Sequence, residues 1–164
     1  MELLNMRLNV LLVTFLTFGV FLACKAPEEE SGRSTANAIF PKGSKGPSQF
    51  FTGTVWVTGL VDNDSIFTTS AGSVLFEPSA RSNWHSHPAG QILIVTEGVG
   101  YHQIKGKRKE VIRKGDVVKC PPNTSHWHGA SKDSSMTHIY LLPNTEKGMV
   151  KWMEPVSDQE FLNE

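Results

Sequence analysis

The feature that most constrains this chain is the steady alternation of short β-rich runs with turn residues from position 50 onward. Residues 52–57, 73–76, 91–96, 101–105, 111–112, 116–120 and 137–142 are rich in β-branched, aromatic and other apolar side chains. Between them stand Asn63, Pro78, Pro88, Gly98, Gly100, Gly106, Gly115, Pro121-Pro122-Asn123 and Pro143-Asn144. Each of these bends the chain or ends a strand. Short strands separated in this way predict an all-β sandwich or closed barrel. Near the end, Ser157-Asp158-Gln159-Glu160 has the form of a capping box, with Ser157 as N-cap and Glu160 at the third helical position. One short C-terminal helix is therefore expected.

The chemistry in such a chain sits in its histidines, of which there are six. His85 and His87 are two apart, a spacing that puts both rings on one face of a strand. Pro88-Ala89-Gly90 turns the chain and Gln91 opens the next run. His126 and His128 repeat the two-apart spacing. A closed barrel brings inward-facing residues of separate strands together, and imidazole is a common ligand for divalent transition metals. His128 is then a partner of the ligands, a pocket acid or base, or a packing residue. His138 shares a strand face with Met136 and Tyr140, and is either a general base or a hydrogen-bonded core histidine. His102 lies beside the polar hairpin Lys105-Gly106-Lys107-Arg108-Lys109 and reads as a surface residue. Trp84 and Trp127 flank the expected ligands, and alternation turns them the other way, toward core or subunit packing.

These residues resemble the two motifs of the cupin superfamily. The first reads here Ser79, five residues, His85-Ser86-His87, three residues, Gln91, six residues, Gly98. The second reads Gly115, five residues, Pro121-Pro122-Asn123, two residues, His126, three residues, Ala130. Ser79 and Asn123 stand where the family holds Gly, Gln91 where it holds Glu, and Ala130 where it holds Asn. The resemblance implies a single jelly-roll β-barrel with one metal ion on His85, His87, Gln91 and His126.

A closer resemblance, from Phe50 to Phe161, is to the bacterial manganese-dependent hydroxynitrile lyases and the carboxymuconolactone-decarboxylase-associated cupins. It is carried by Phe51-Thr52-Gly53-Thr54-Val55, Trp84-His85-Ser86-His87-Pro88, Gln91 to Thr96, His126-Trp127-His128-Gly129-Ala130 and Met136-Thr137-His138. Gln91 in place of Glu is usual in that group. The resemblance implies an active-site role for His138 and a substrate pocket bordered by Gly72, Val74 and Leu142. Leu142 departs from the Gln that the lyases hold there, which bears on the substrate. Manganese is the implied ion, with Fe, Zn, Ni or Co as alternatives, and a homo-oligomer (dimer or tetramer) is implied.

The first residues read as a targeting segment. Residues 10–23 are almost all apolar and carry no charge. The run is short for a bilayer span and suits a signal-peptide core. Phe21-Leu22-Ala23-Cys24 resembles the bacterial lipoprotein cleavage box, in which the cysteine becomes lipidated. A start at Met6 places Met-Arg directly before the apolar run, a better signal. The expected domains are a lipoprotein-type signal over 1–23, a flexible tether over 24–48 and a cupin domain over 49–164. The tether is rich in Lys, Glu, Ser, Gly and Pro. Ile39-Phe40-Pro41 is an arm expected to pack on the barrel or on a partner. With Cys24 lipidated, Cys120 has no internal disulfide partner and reads as a small buried side chain. The expected location is outside the cytoplasm, anchored to a membrane by lipid.

Charge narrows the partners. The chain has 16 basic and 16 acidic residues. Nucleic-acid binding needs a surplus of Lys and Arg, so nucleic acid is not expected as the main partner, and the resemblance implies a small-molecule substrate. Three imidazoles and an amide leave a dication's charge uncompensated, which favours it as a Lewis acid. That suits a lyase cleaving cyanohydrins. The alternatives are an iron-dependent oxygenase on a small aromatic or carbonyl compound and a non-catalytic binding module at the cell envelope.

Overall fold

The computed structural model describes residues 38–163, and the expected signal, Cys24 and the first part of the tether lie outside them. The described chain is built of strands. In order they are β1 (Ser44–Lys45), β2 (Phe51–Thr52), β3 (Val55–Val61), β4 (Thr69–Phe76), β5 (Arg81–Ser82), β6 (His85–Ser86) and β7 (Gln91–Ile104). There follow β8 (Glu110–Arg113), β9 (Val117–Cys120), β10 (His126–Ala130), β11 (Met136–Pro143), β12 (Lys151–Trp152) and a single α-helix, α1 (Asp158–Leu162). The main path of pairing runs β1-β3-β4-β11-β7-β10-β5-β2, with β8 and β9 on β7 and with β6 on β10 and β12. Every pairing is antiparallel. The result is the curled all-β barrel with one short terminal helix that the sequence predicts.

Strand β7 joins the two halves of the barrel. Its first half pairs with β11 and β9, its second with β10 and β8. The sequence places turns at Gly98 and Gly100, but one strand continues through both. Gly98 has φ 76°, and a Cβ there would lie 1.9 Å from the Ser135 carbonyl oxygen. Only glycine fits this kink. The kink also changes which residues face inward. Gln91, Leu93 and Val95 are buried before it, Gly100 and His102 after it, so the inward parity switches from odd to even. His102 is consequently an interior residue, not the surface residue that its sequence neighbours imply.

Two apolar clusters hold the barrel. Inside it, Val55, Val74, Phe76, Ala80, Val95, Ile112, Ala130 and Met136 pack together. Outside it, Trp84, Trp127, Val156 and Phe161 form a second core under α1. The two tryptophans thus pack within the chain, edge to face at 6.5 Å. The capping box is present as expected: the Ser157 hydroxyl accepts from the Glu160 amide, and the Glu160 carboxylate accepts from the Ser157 amide at 2.8 Å. Buried Arg81 ties this end down, donating to the Val156 carbonyl at 3.0 Å and to Asp158 at 2.5 Å.

The tether boundary at residue 48 falls too late. Residues 44–45 form β1, which pairs with Trp56 and Val57 of β3. Pro41 also lies on the barrel, its carbonyl accepting from the Thr58 hydroxyl at 2.7 Å. The folded domain therefore includes residues that composition alone assigns to a solvated linker.

Candidate functional site

All six histidines are buried, each 5% exposed or less. His85 lies on β6, His87 just after it, Gln91 at the start of β7 and His126 at the start of β10. Strands β6 and β10 pair with His126 opposite His85. The ring centroids of His85 and His126 are 4.3 Å apart, those of His85 and His87 5.1 Å, and those of His87 and His126 5.6 Å. Gln91 Oε1 lies 3.0 Å from His126 Nε2. The four residues expected to share a metal therefore converge.

Their hydrogen bonds fix the tautomers. Nδ1 of His85 meets the Asn83 carbonyl at 2.9 Å, Nδ1 of His87 the Met149 carbonyl at 2.5 Å, and Nδ1 of His126 the Thr124 carbonyl at 2.9 Å. A carbonyl only accepts, so each Nδ1 carries the proton and each Nε2 presents a lone pair. His87 Nε2 is buried with no partner. His126 Nε2 faces a second acceptor, the Gln91 carbonyl oxygen. Two acceptors in contact are unfavourable unless a cation lies beside both. Burial first, then repulsion from the His126 ring, holds His85 well below the usual histidine range. Burial likewise lowers His87, and it lowers His126 to about 3. The rings stay neutral at pH 7 and keep their lone pairs. This donor set, nitrogen-rich and buried, fits a divalent transition metal.

A second pair of rings stands beside the first set. His138 Nε2 and His128 Nδ1 are 3.2 Å apart, and their other ring nitrogens have no hydrogen-bond partner. Burial lowers His138 to about 4 and, with repulsion from His138 added, holds His128 well below the usual value. Phe76 packs against both rings at 5.7 and 5.6 Å. Ring nitrogens of His85, His126 and His128 also lie within 4.8 Å of one another. Nε2 is without a partner on both His87 and His128, and what separates them is that the His87 ring proton is held by the Met149 carbonyl whereas His128 Nδ1 faces His138.

His85, His87 and Gln91, though not His126, open on a cavity of about 480 Å³ with mostly apolar walls. Val74 and Leu142 line it, as expected, and so do His128 and His138. Gly72 does not: the Tyr140 ring covers it, 2.6 Å from where a Cβ would stand. The space left by the missing side chain is thus filled by a neighbour and does not enlarge the pocket. Residues 44–47, Met149, Val150 and Trp152 complete the wall. Sequence reasoning misses this group, since backbone carbonyls such as that of Met149 carry no residue-type signal. His102 lies behind the site, with its ring 5.8 Å from that of His126, its Nε2 3.4 Å from Cys120 Sγ, and its Nδ1 3.7 Å from Glu110. Cys120 is buried, as expected, and burial pushes its thiol up to about 12.

Comparison with known proteins decides the family. Residues 72–141 match the cupin domain. Over 117 residues, 71% of this chain and 89% of the relative, the chain is 44% identical to a protein named (R)-mandelonitrile lyase from Granulicella tundricola. The chain is a cupin. Its barrel is similar to the crystal structure of a cupin-like protein from Thermotoga maritima, with 50% identity, a TM-score of 0.74, and 75% of this cupin and 93% of that chain covered. A cupin barrel protein from Rhodopseudomonas palustris, 17% identical with a TM-score of 0.53 over 65% of this chain and 70% of its own, shares the fold alone.

Proposed function

We propose that this cupin is a metal-dependent lyase that cleaves small cyanohydrins to a carbonyl compound and hydrogen cyanide. The observation that carries the reading is the all-neutral donor set beside a buried histidine pair in an apolar cavity. The relative named (R)-mandelonitrile lyase supports it. His85, His87, Gln91 and His126 would hold the ion, manganese in first place and Fe, Zn, Ni or Co as substitutes. A dication held by neutral ligands supplies Lewis acidity toward a substrate oxygen.

The chain's own residues do the rest. The apolar walls exclude water from the reacting carbon. The substrate hydroxyl gives its proton to the His128–His138 pair, whose low proton affinity in the free protein leaves a neutral acceptor at pH 7. The O–H electron pair becomes the second bond of the carbonyl, and the pair of the C–CN bond leaves with cyanide. The imidazole then returns the proton to cyanide.

Export, lipidation at Cys24 and assembly as a dimer or tetramer belong to the same proposal. Palmitate labelling of wild type against Cys24→Ser tests the anchor. The activity test is anaerobic turnover of mandelonitrile by manganese-loaded protein, read as benzaldehyde absorbance. Benzaldehyde release without oxygen is the expected result. Turnover only with iron and oxygen favours an oxygenase, and metal uptake without turnover of either kind leaves a binding module.

A further inference from the structure

One row across the sheet is short of side chains. Tyr140 on β11 pairs with Leu93 of β7 on one side and with Gly72 of β4 on the other, and Gly72 in turn faces Gly59 of β3. The row beside it is Val95, His138, Val74 and Val57. Two successive strands therefore present no side chain next to Tyr140. Its ring lies across the first of them, with Cε1, Cζ and the hydroxyl oxygen 2.6, 2.8 and 2.7 Å from where a Gly72 Cβ would stand. A Cβ at Gly59 would meet nothing within 4 Å. Half-buried Tyr140 lines the cavity together with His138 and Leu142, its neighbours two positions away on the same strand face.

The Tyr140 hydroxyl has no hydrogen-bond partner among the described residues, and it is not sealed from open space. A tyrosine hydroxyl among apolar side chains usually finds a partner. Here a ligand can supply one. The buried Ser82 hydroxyl, also in the cavity wall, is already engaged by the His128 amide at 3.2 Å. Residues two apart on a strand are separated by roughly 7 Å, so the Tyr140 row stands that far along the wall from the His138 row. A flat ring with a polar group at each end covers this step. Phe50 and Trp152, stacked at 4.6 Å, also line the cavity, and Trp152 lies 5.0 Å from the His85 ring, so an aromatic surface is present for such a body. We propose that Tyr140 is a specificity-determining residue of this cupin: its hydroxyl, held over Gly72, donates a hydrogen bond to a second neutral oxygen on an aromatic carbonyl or hydroxy substrate, at the end of the ring far from the histidines. The proposal rests on the reading of the histidine site as the seat of the substrate's reacting oxygen.

The test is binding, without cyanide and without turnover. Manganese-loaded full-length protein is titrated by calorimetry with para-methoxybenzaldehyde and with para-ethylbenzaldehyde, which are close in shape and differ in one acceptor oxygen. Wild type is expected to bind the methoxy compound about three- to tenfold more tightly, the range of one neutral hydrogen bond. Tyr140→Phe should lose that preference while its affinity for the ethyl compound stays the same. Gly72→Ala keeps the hydroxyl but sets a methyl group where the ring lies, and should lose the preference as well. Equal binding of the two aldehydes by wild type, or binding of neither, overturns the proposal. So does a preference that survives in Tyr140→Phe, since the methoxy oxygen then acts elsewhere, and one that survives in Gly72→Ala, since the hydroxyl is then not held over residue 72. Anaerobic turnover of mandelonitrile by the same wild-type preparation keeps the two readings apart. No turnover with the methoxy preference intact sinks the lyase reading alone, and turnover without the preference sinks this one alone.

Discussion

The site contains two kinds of histidine, and the contrast between them is informative. His85, His87 and His126 each give a ring proton to a main-chain carbonyl, two of them to the residue two positions upstream. His128 and His138 lean on one another. A ring pinned by the backbone has one tautomer and one direction for its lone pair, which is what a fixed ligand needs. Two neutral rings that face each other can bond with either one as the donor, so no backbone carbonyl fixes their tautomers. Burial is almost the same in both sets, so on the proposed reading the hydrogen-bond partner of each ring, not its depth, would separate metal holding from proton transfer.

The largest test of that contrast is metal content. His126→Ala should weaken manganese binding by more than about 100-fold, read by elemental analysis after dialysis, while His138→Ala keeps its full complement. Equal loss in both variants would erase the division. Next comes rate. His138→Ala, still loaded, should cleave mandelonitrile some 10²- to 10⁴-fold more slowly than wild type.

Stability against pH gives a smaller effect. His138 in the fold titrates at about 4 against 6.5 for a free histidine, so the unfolded chain takes up the proton first as pH falls. Its contribution is complete above pH 6.5 and is lost progressively as pH falls toward about 4. In metal-free protein, denaturant melts of His138→Gln should show this acid-side loss reduced by on the order of 3 kcal/mol. The smallest effect concerns His102, which belongs to neither set. Cys120→Ser should cost about 1 kcal/mol in stability and leave metal content and rate unchanged, as read by melting and elemental analysis.

What could be read from the sequence follows the range of the interactions. The ligand spacing, the Ser157 cap and the buried Cys120 depend on neighbours a few residues away, so local pattern reveals them. The positions where Ser79 and Asn123 replace the family's glycines have φ 66° and 56°, in the left-handed region, so the turns survive the substitutions. The orientation of His102 depends on a kink four residues earlier, and alternation counted from either side without it gives the wrong face. The wall at residues 44–47 depends on pairing with a distant strand, and a Lys-, Gly- and Pro-containing stretch gives no sign of that pairing. Tyr140 fills the space at Gly72 from the adjacent strand, which no reading of Gly72 alone can supply.

The bend at Gly98 makes the two ends of one strand independently editable. A one-residue change in length on its far side would exchange His102 and Tyr101 between the barrel's inside and outside, leaving Gln91, Leu93 and Val95 where they are. A lineage built on this barrel can thus remodel the interior behind the histidine site by insertion or deletion while His85, His87 and Gln91 stay in place.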